Sequence, residues 1–348
     1  MAIPLSIALL LRIILLLLFF LIINLLYLAY KKRDDVKGRR IKEAYIQEKQ
    51  LIWFDYFREG TGIPTILIPK NRYEIEGIEQ IFLVYLHNLK TSSIVEKISQ
   101  FSNEYLYTHY KGELNSRRWS RRMNAMERIV DFQIDRLVDD CHQMNQEKLS
   151  TEEQFQQLKI IANLKEEEFI CALRKTTHIF SEYAYKRIFM DVSEDVFEAL
   201  LKEIDTLPLT CQYCVVDLVG IRRERAYLSY LNTFISSNDD EMRIRALKAI
   251  YEIGVVTDIQ SYTQFSEADA WEERLMFVKL LAYIPVEEAY PHLRKRMRDE
   301  AWWVRLQAGT VMRNYKNGAQ LLEEIVETEQ DPFAVDMAKA FLKEGDNR

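Results

Sequence analysis

The hydrophobic pattern changes character sharply along the chain. From Ile13 to Tyr30 the run IILLLLFFLIINLLYLAY carries no charge, and Asn24 is its only strongly polar side chain. At 1.5 Å per residue such a helix covers about 27 Å, close to the hydrocarbon thickness of a bilayer. The preceding MAIPLSIALLL is also apolar, so the greasy stretch from Ile3 to Tyr30 exceeds one crossing and contains Arg12. An arginine at mid-bilayer costs about 2.5 to 3.5 kcal/mol, whereas one near an end reaches the headgroups, so Arg12 marks the outer boundary. Beyond residue 40, apolar Ile41, Tyr45, Leu51, Ile52 and Tyr56 recur roughly at helical spacing and predict a connector helix over 41–58. Gly60, Gly62, Pro64 and Pro69 then break the chain, and TILIP between them reads as a loop. After Pro69 the pattern predicts helices over 74–89, 94–110, 117–144 and 152–164 and onward to the end, with brief breaks.

Orientation follows from the flanks. Residues 31–40, KKRDDVKGRR, carry six basic side chains, while nothing before Arg12 is charged except the amino terminus. The excess of cations places residue 31 onward in the cytoplasm, with Arg12, Lys31, Lys32, Arg33, Arg39 and Arg40 flanking a single membrane pass through residues 3–30. A cleaved signal peptide fits less well: the apolar region is too long, and YLAYKKR has no small-x-small cleavage site. The basic run has two readings, a solvated topology determinant or a surface for anionic lipid.

A repeat is legible toward the C-terminus. NDDEMRIRALKAIYEIG (238–254), ADAWEERLMFVKLLAYI (268–284), DEAWWVRLQAGTVMRNY (299–315) and EQDPFAVDMAKAFLKEG (329–345) each open on acidic residues and continue with small and aliphatic ones. The markers Arg245, Arg274, Arg305 and Asp336 lie 29, 31 and 31 residues apart. Stepping upstream reaches Cys214, then Arg187, with Gln156 and Arg122 in the marker position of more degraded copies, about seven or eight units in all. Such a hairpin of two short helices cannot bury its apolar face alone, so stacking makes the core continuous. Ala246, Ala249, Ala282, Ala308, Gly309, Ala338 and Ala340 fall on second helices, where neighbours approach. Asp239, Asp299 and Asp331 are placed to cap free N–H groups, and Pro332 sits at the first helical position, where its missing N–H costs nothing.

In AWWVRLQAGTVM and DDEMRIRALKAIYEIG above all, the chain resembles the HEAT repeats, firmly over 205–345 and more loosely over 73–204. The resemblance implies an all-α fold: an α-α superhelical solenoid of HEAT-like hairpins preceded by a single transmembrane helix. The organisation expected is an anchor over 1–30, a basic juxtamembrane segment, connector and loop over 31–72, irregular hairpins over 73–204 and a HEAT-repeat domain over 205–348. It further implies a protein-binding scaffold at the cytoplasmic face of the cell membrane, looking like an accessory subunit of a membrane enzyme such as a polysaccharide glycosyltransferase. Two alternatives stand beside it: a HEAT-like lyase of the kind that attaches bilins, and an adaptor recruited to an anionic lipid surface. The period of 34 and the Trp, Leu-Gly, Tyr signature of tetratricopeptide repeats are missing.

Composition narrows the chemistry. Ten Gly and seven Pro among 348 residues leave little material for the turns of a sheet protein. A net charge of −6 argues against a nucleic-acid partner. The four cysteines, Cys141, Cys171, Cys211 and Cys214, are too few for a secreted disulfide framework, and Cys211–Cys214 forms a lone CxxC that reads as core thiols rather than half a metal or redox site. His87, His109, His142, His178 and His292 are scattered, without ligand spacing. No phosphate loop, dinucleotide fingerprint or nucleophile elbow is present, so no catalytic, cofactor or metal residues and no small-molecule substrate are expected. Glu166, Glu167, Glu168, Glu272 and Glu273 read as solvated helix starts. The clusters Arg117, Arg118, Arg121, Arg122; Arg222, Arg223, Arg225; and Arg294, Lys295, Arg296, Arg298 read as inter-repeat ladders and solvated faces, or as stripes toward the inner leaflet. Tandem Trp302 and Trp303 cannot both enter one core, so one is expected to be exposed and to serve, with Arg305, Arg274 and Arg245, as a binding surface for a protein partner.

Overall fold

The computed structural model describes residues 7–89, 91–144, 148–176, 180–256 and 258–345. Among them there is no β-strand, and the chain is all-α. It forms two compact units, 1–165 and 166–348. That division lies upstream of residue 204, where repeat legibility changes in the sequence.

The first unit contains α1 (Ile7–Glu59), α2 (Arg72–Asn88), α3 (Ser92–Phe101), α4 (Tyr107–Leu114), α5 (Trp119–Asp131), α6 (Val138–His142) and α7 (Thr151–Leu164). Helix α1 is one uninterrupted rod of 53 residues, about 80 Å long. Its side chains from Leu11 to Tyr30 are exposed throughout, and the helix is long and apolar enough to cross a membrane. The expected connector is continuous with this rod and is itself core: Tyr45, Trp53, Tyr56 and Phe57 are buried. Trp53 meets Phe82 and Phe101 edge-on at 4.9 Å, and its Nε1 donates to the Tyr45 hydroxyl, which in turn donates to the Leu67 carbonyl. Contacts between α1 and α2 advance in step, Asp34 with Arg72, Gly38 with Tyr73, Tyr45 with Gly77 and Trp53 with Phe82, so the two helices run parallel. The connection 60–71 therefore runs back along α1 and brings the start of α2 beside Asp34, one turn from Tyr30. Lys97 of α3 donates to the Tyr56 and Phe57 carbonyls and closes the end of α1.

Ser92–Leu114 is helical, but a π-turn over Ser102–Leu106 separates α3 from α4. The single helix expected over 117–144 is divided at Phe132 and Gln133, where Gln133 takes φ 50° and no glycine or proline announces it.

The second unit contains α8 (Glu166–Lys175), α9 (Glu182–Asp191), α10 (Glu194–Lys202), α11 (Leu209–Arg222), α12 (Leu228–Phe234), α13 (Asp240–Ile253), α14 (Trp271–Leu280), α15 (Val286–Arg296), α16 (Trp302–Asn314), α17 (Gly318–Thr328) and α18 (Pro332–Gly345). Helices α9, α11, α13, α14, α16 and α18 pack each against the next. Between α13 and α14 a 3-10 segment, Ile259–Glu267, stands where its neighbours have an α-helix. Small residues set the approach: a Cβ on Gly220 would lie 2.9 Å from the Ala249 Cα, and one on Gly309 would lie 2.2 Å from the Phe341 ring. Ala246, Ala249, Ala308 and Ala338 are likewise buried, but Ala282 and Ala340 are exposed and take no part. Asp239, Asp299 and Asp331 accept from the backbone N–H groups of Glu241, Ala301 and Ala334, as their capping positions predict.

Candidate interaction surface

Four arginines share one geometry. The Nη1 of Arg122, Arg243, Arg274 and Arg305 donates to the carbonyl six residues upstream, on Ser116, Ser237, Ala268 and Asp299 respectively, at 2.6 to 2.9 Å. Each occupies the fourth position of its helix and straps down the loop that precedes it, a charge-assisted bond to a carbonyl the helix cannot satisfy. Gln154 and Gln212, at the same position of α7 and α11, reach the carbonyl five residues upstream instead. The marker position is thus held by Arg243 rather than Arg245, and by Gln154 and Gln212 rather than Gln156 and Cys214. With that correction Arg243, Arg274 and Arg305 are 31 residues apart at both steps.

The acidic partners vary. Arg122 pairs with Glu153 at 2.6 Å, Arg243 with Glu273 at 2.5 Å, and Arg274 with Asp299 at 2.8 Å. Glu273 is buried, not a solvated helix start as its sequence suggested. Among the described residues Arg305 meets no carboxylate; its guanidinium lies 4.9 Å from the Phe333 ring centre.

Arg245 has a separate role. Its guanidinium, over the Tyr213 ring, donates to Glu182 of α9, Asp217 of α11 and Glu241 of its own helix at 2.6 to 2.9 Å, while Lys186 reaches Asp217 at 2.5 Å. Burial opposes this charge, but the three carboxylates outweigh it and raise the guanidinium above its ordinary range. Arg245 therefore ties three successive helices together. Most cations of the other basic clusters are paired as well: Arg121 with Glu113, Arg222 with Glu194, Arg223 with Glu252, Arg294 and Arg298 with Glu329, and Lys295 and Arg296 with Glu267.

Trp302 and Trp303 are both exposed, 48% and 57%, rather than one of the two, and they meet edge-on at 4.7 Å. They occupy the first turn of α16, and Phe333 in the first turn of α18 is 62% exposed beside Arg305. Phe333 escaped the sequence reading because a lone Phe after Pro resembles a core residue.

Cys211 and Cys214 are fully buried, and burial pushes both thiols up to about 12, so at neutral pH they are protonated packing groups. His87 faces its own helix at the Leu83 carbonyl, His109 lies against Tyr110, and His292 lies against Phe277, where burial holds it below the usual imidazole range. His142 ends α6, and His178 lies outside the described residues. Among the described residues no three His, Cys, Asp or Glu side chains converge as metal ligands would. The flanking cations Arg12, Lys31, Lys32, Arg33, Arg39 and Arg40 are all exposed along α1.

No protein-family model and no curated protein matches the chain.

Proposed function

We propose that the chain is a membrane-tethered, non-catalytic HEAT-like solenoid that holds a protein partner at the cytoplasmic face of the cell membrane. Residues 3–30 cross the bilayer once with the N-terminus outside, and the flanking basic residues set that orientation. The observation that carries the binding reading is the exposure of three large rings, Trp302, Trp303 and Phe333, together at the starts of α16 and α18, two helices that pack against each other. Aromatic side chains of this kind, backed by an arginine, dominate the energy of protein–protein contacts. The successive packing of α9, α11, α13, α14, α16 and α18 and the 31-residue arginine straps support the solenoid. The tether then works by mass action, confining the binding surface to the layer where a membrane-bound partner resides. An accessory role beside a membrane enzyme such as a glycosyltransferase fits this arrangement.

The test is chemical cross-linking in native membranes followed by purification of the full chain. The double variant W302A/W303A should remain in the membrane, keep its helical content and lose the cross-linked partner at least tenfold. An unchanged partner set would overturn the assignment of the surface.

A further inference from the structure

Asn24 sits in the middle of the apolar run, exposed on α1, with its Nδ2 donating to the Phe20 carbonyl at 2.9 Å. That bond uses one of four hydrogen-bonding capacities of a carboxamide; in hydrocarbon no water satisfies the others. Polar side chains at such depth face other protein rather than lipid tails.

Its direction is fixed by the rest of the rod. Fourteen residues separate Asn24 from Gly38, which on an α-helix is within about 40° of four whole turns. Gly38 is the point where α2 docks: a Cβ there would lie 2.3 Å from the Tyr73 ring. Asp34, Tyr45, Trp53 and Tyr56 continue that covered face. Asn24 therefore projects on the side of α1 occupied, from Asp34 onward, by the rest of the first unit.

This excludes a symmetric pairing of two copies through Asn24. Helix axes that meet there would be about 8 to 10 Å apart, and crossing at the usual 20 to 40° they remain within about 15 Å of each other at the level of Asp34. Each copy brings its own α2, a cylinder about 10 Å across, into that same gap. Two such helices do not fit.

We propose that Asn24 seats a transmembrane helix of a second integral membrane protein, one that lies above the first unit and leaves the bilayer without a bulky domain on that side. The proposal rests on the membrane-spanning reading of α1. It names the face of α1, through Asn24 and Leu17 one heptad above, as the contact, and leaves the opposite face, with Ile22 and Leu26, to lipid.

The experiment places a photoreactive amino acid at position 17, 22 or 26 of the full chain in native membranes, with an untagged second copy present. Position 17 should give one adduct whose far end maps by mass spectrometry to a transmembrane segment of another protein. Positions 22 and 26 should give that adduct at least fivefold less. Asn24→Leu should lower the position-17 yield at least fivefold while the chain stays in the alkaline-carbonate pellet. Equal yields on both faces, an adduct with the untagged copy, or lipid adducts alone would overturn the proposal. Release of the unmodified chain by carbonate would instead overturn the membrane-spanning reading beneath it.

Discussion

Arg274 grips Asp299 with a fork: its Nε and Nη2 each donate to a different carboxylate oxygen at 2.8 Å, and the Asp299 side chain is only 1% exposed. The same arginine holds the carbonyls of Ala268 and Asp269, so one residue of α14 joins its own loop to the turn before α16. Arg296 supplies a second cation to Asp299 at 3.0 Å. Removing one partner of a buried pair strands the other, which costs about 3 to 5 kcal/mol. Arg274→Ala should therefore lower the unfolding free energy of the full chain in detergent by about 3 kcal/mol, at the low end because Arg296 remains. Arg245→Ala strands Glu182 and Asp217, which are more exposed and keep Lys186, and should cost less.

Acid should loosen the same network. Burial alone would raise the Asp299 carboxyl, but the Arg274 fork, the Ala301 N–H and the charges of both arginines outweigh it and hold it below its ordinary value of 3.8. Glu153 and Glu329 are likewise held below 4.5, against burial, by Arg122 and by Arg294 with Arg298. A carboxylate whose folded pKa is depressed contributes stability above its unfolded value and loses it as pH falls through the folded one. The contribution of these carboxylates to the thermal midpoint should accordingly be constant from pH 7 to about 5 and decline below about 4.5, while His292, held low by burial, adds a separate loss as pH falls below about 6.5. Asp299→Asn should flatten part of that decline; an equally steep decline would assign it elsewhere.

Two tryptophans should respond oppositely. Trp53 is fully buried among Tyr56, Phe57, Phe82 and Phe101, so Trp53→Ala should cost about 3 to 5 kcal/mol. Trp303→Ala removes a ring that is mostly solvated and should change stability by less than about 1 kcal/mol. Unfolding of the two variants by denaturant separates the core role from the surface role.

Glycines offer a similar contrast. At Gly309 a Cβ would meet the Phe341 ring at 2.2 Å, so Gly309→Val should overpack the α16–α18 contact and cost about 1 to 3 kcal/mol. At Gly112 in α4 nothing lies within 4 Å, and Gly112→Ala should stabilise the chain by about 0.5 to 1 kcal/mol. Thermal unfolding of both measures the sign directly.

Much of this fold is visible in the residues, and what is hidden has physical causes. Helical periodicity, the aspartate caps and the 31-residue spacing are written in local chemistry, which neighbouring side chains alone decide. The register of the markers is not: Arg243 and Arg245 are two residues apart on one helix, and only the carbonyl of Ser237 identifies which of them straps the loop. The core role of α1 beyond residue 40 escaped for a related reason. Tyr45, Trp53, Tyr56 and Phe57 look like an amphipathic connector until the return of 60–71 lays α2 along them. A heptad of Asn24, Lys31, Gly38 and Tyr45 was the available signal. The exposure of both Trp302 and Trp303 depends on tertiary packing, which no local pattern encodes.

The proposed tether and the proposed binding surface are tested together by the yield of a photo-cross-link from position 303 in cells, compared between the full chain and a truncation beginning at Lys31. Confinement raises the effective concentration of a membrane-resident partner by orders of magnitude. The full chain should therefore give a discrete adduct, and the truncation, although folded, should give it at least tenfold less. Equal yields from a soluble truncation would contradict the account.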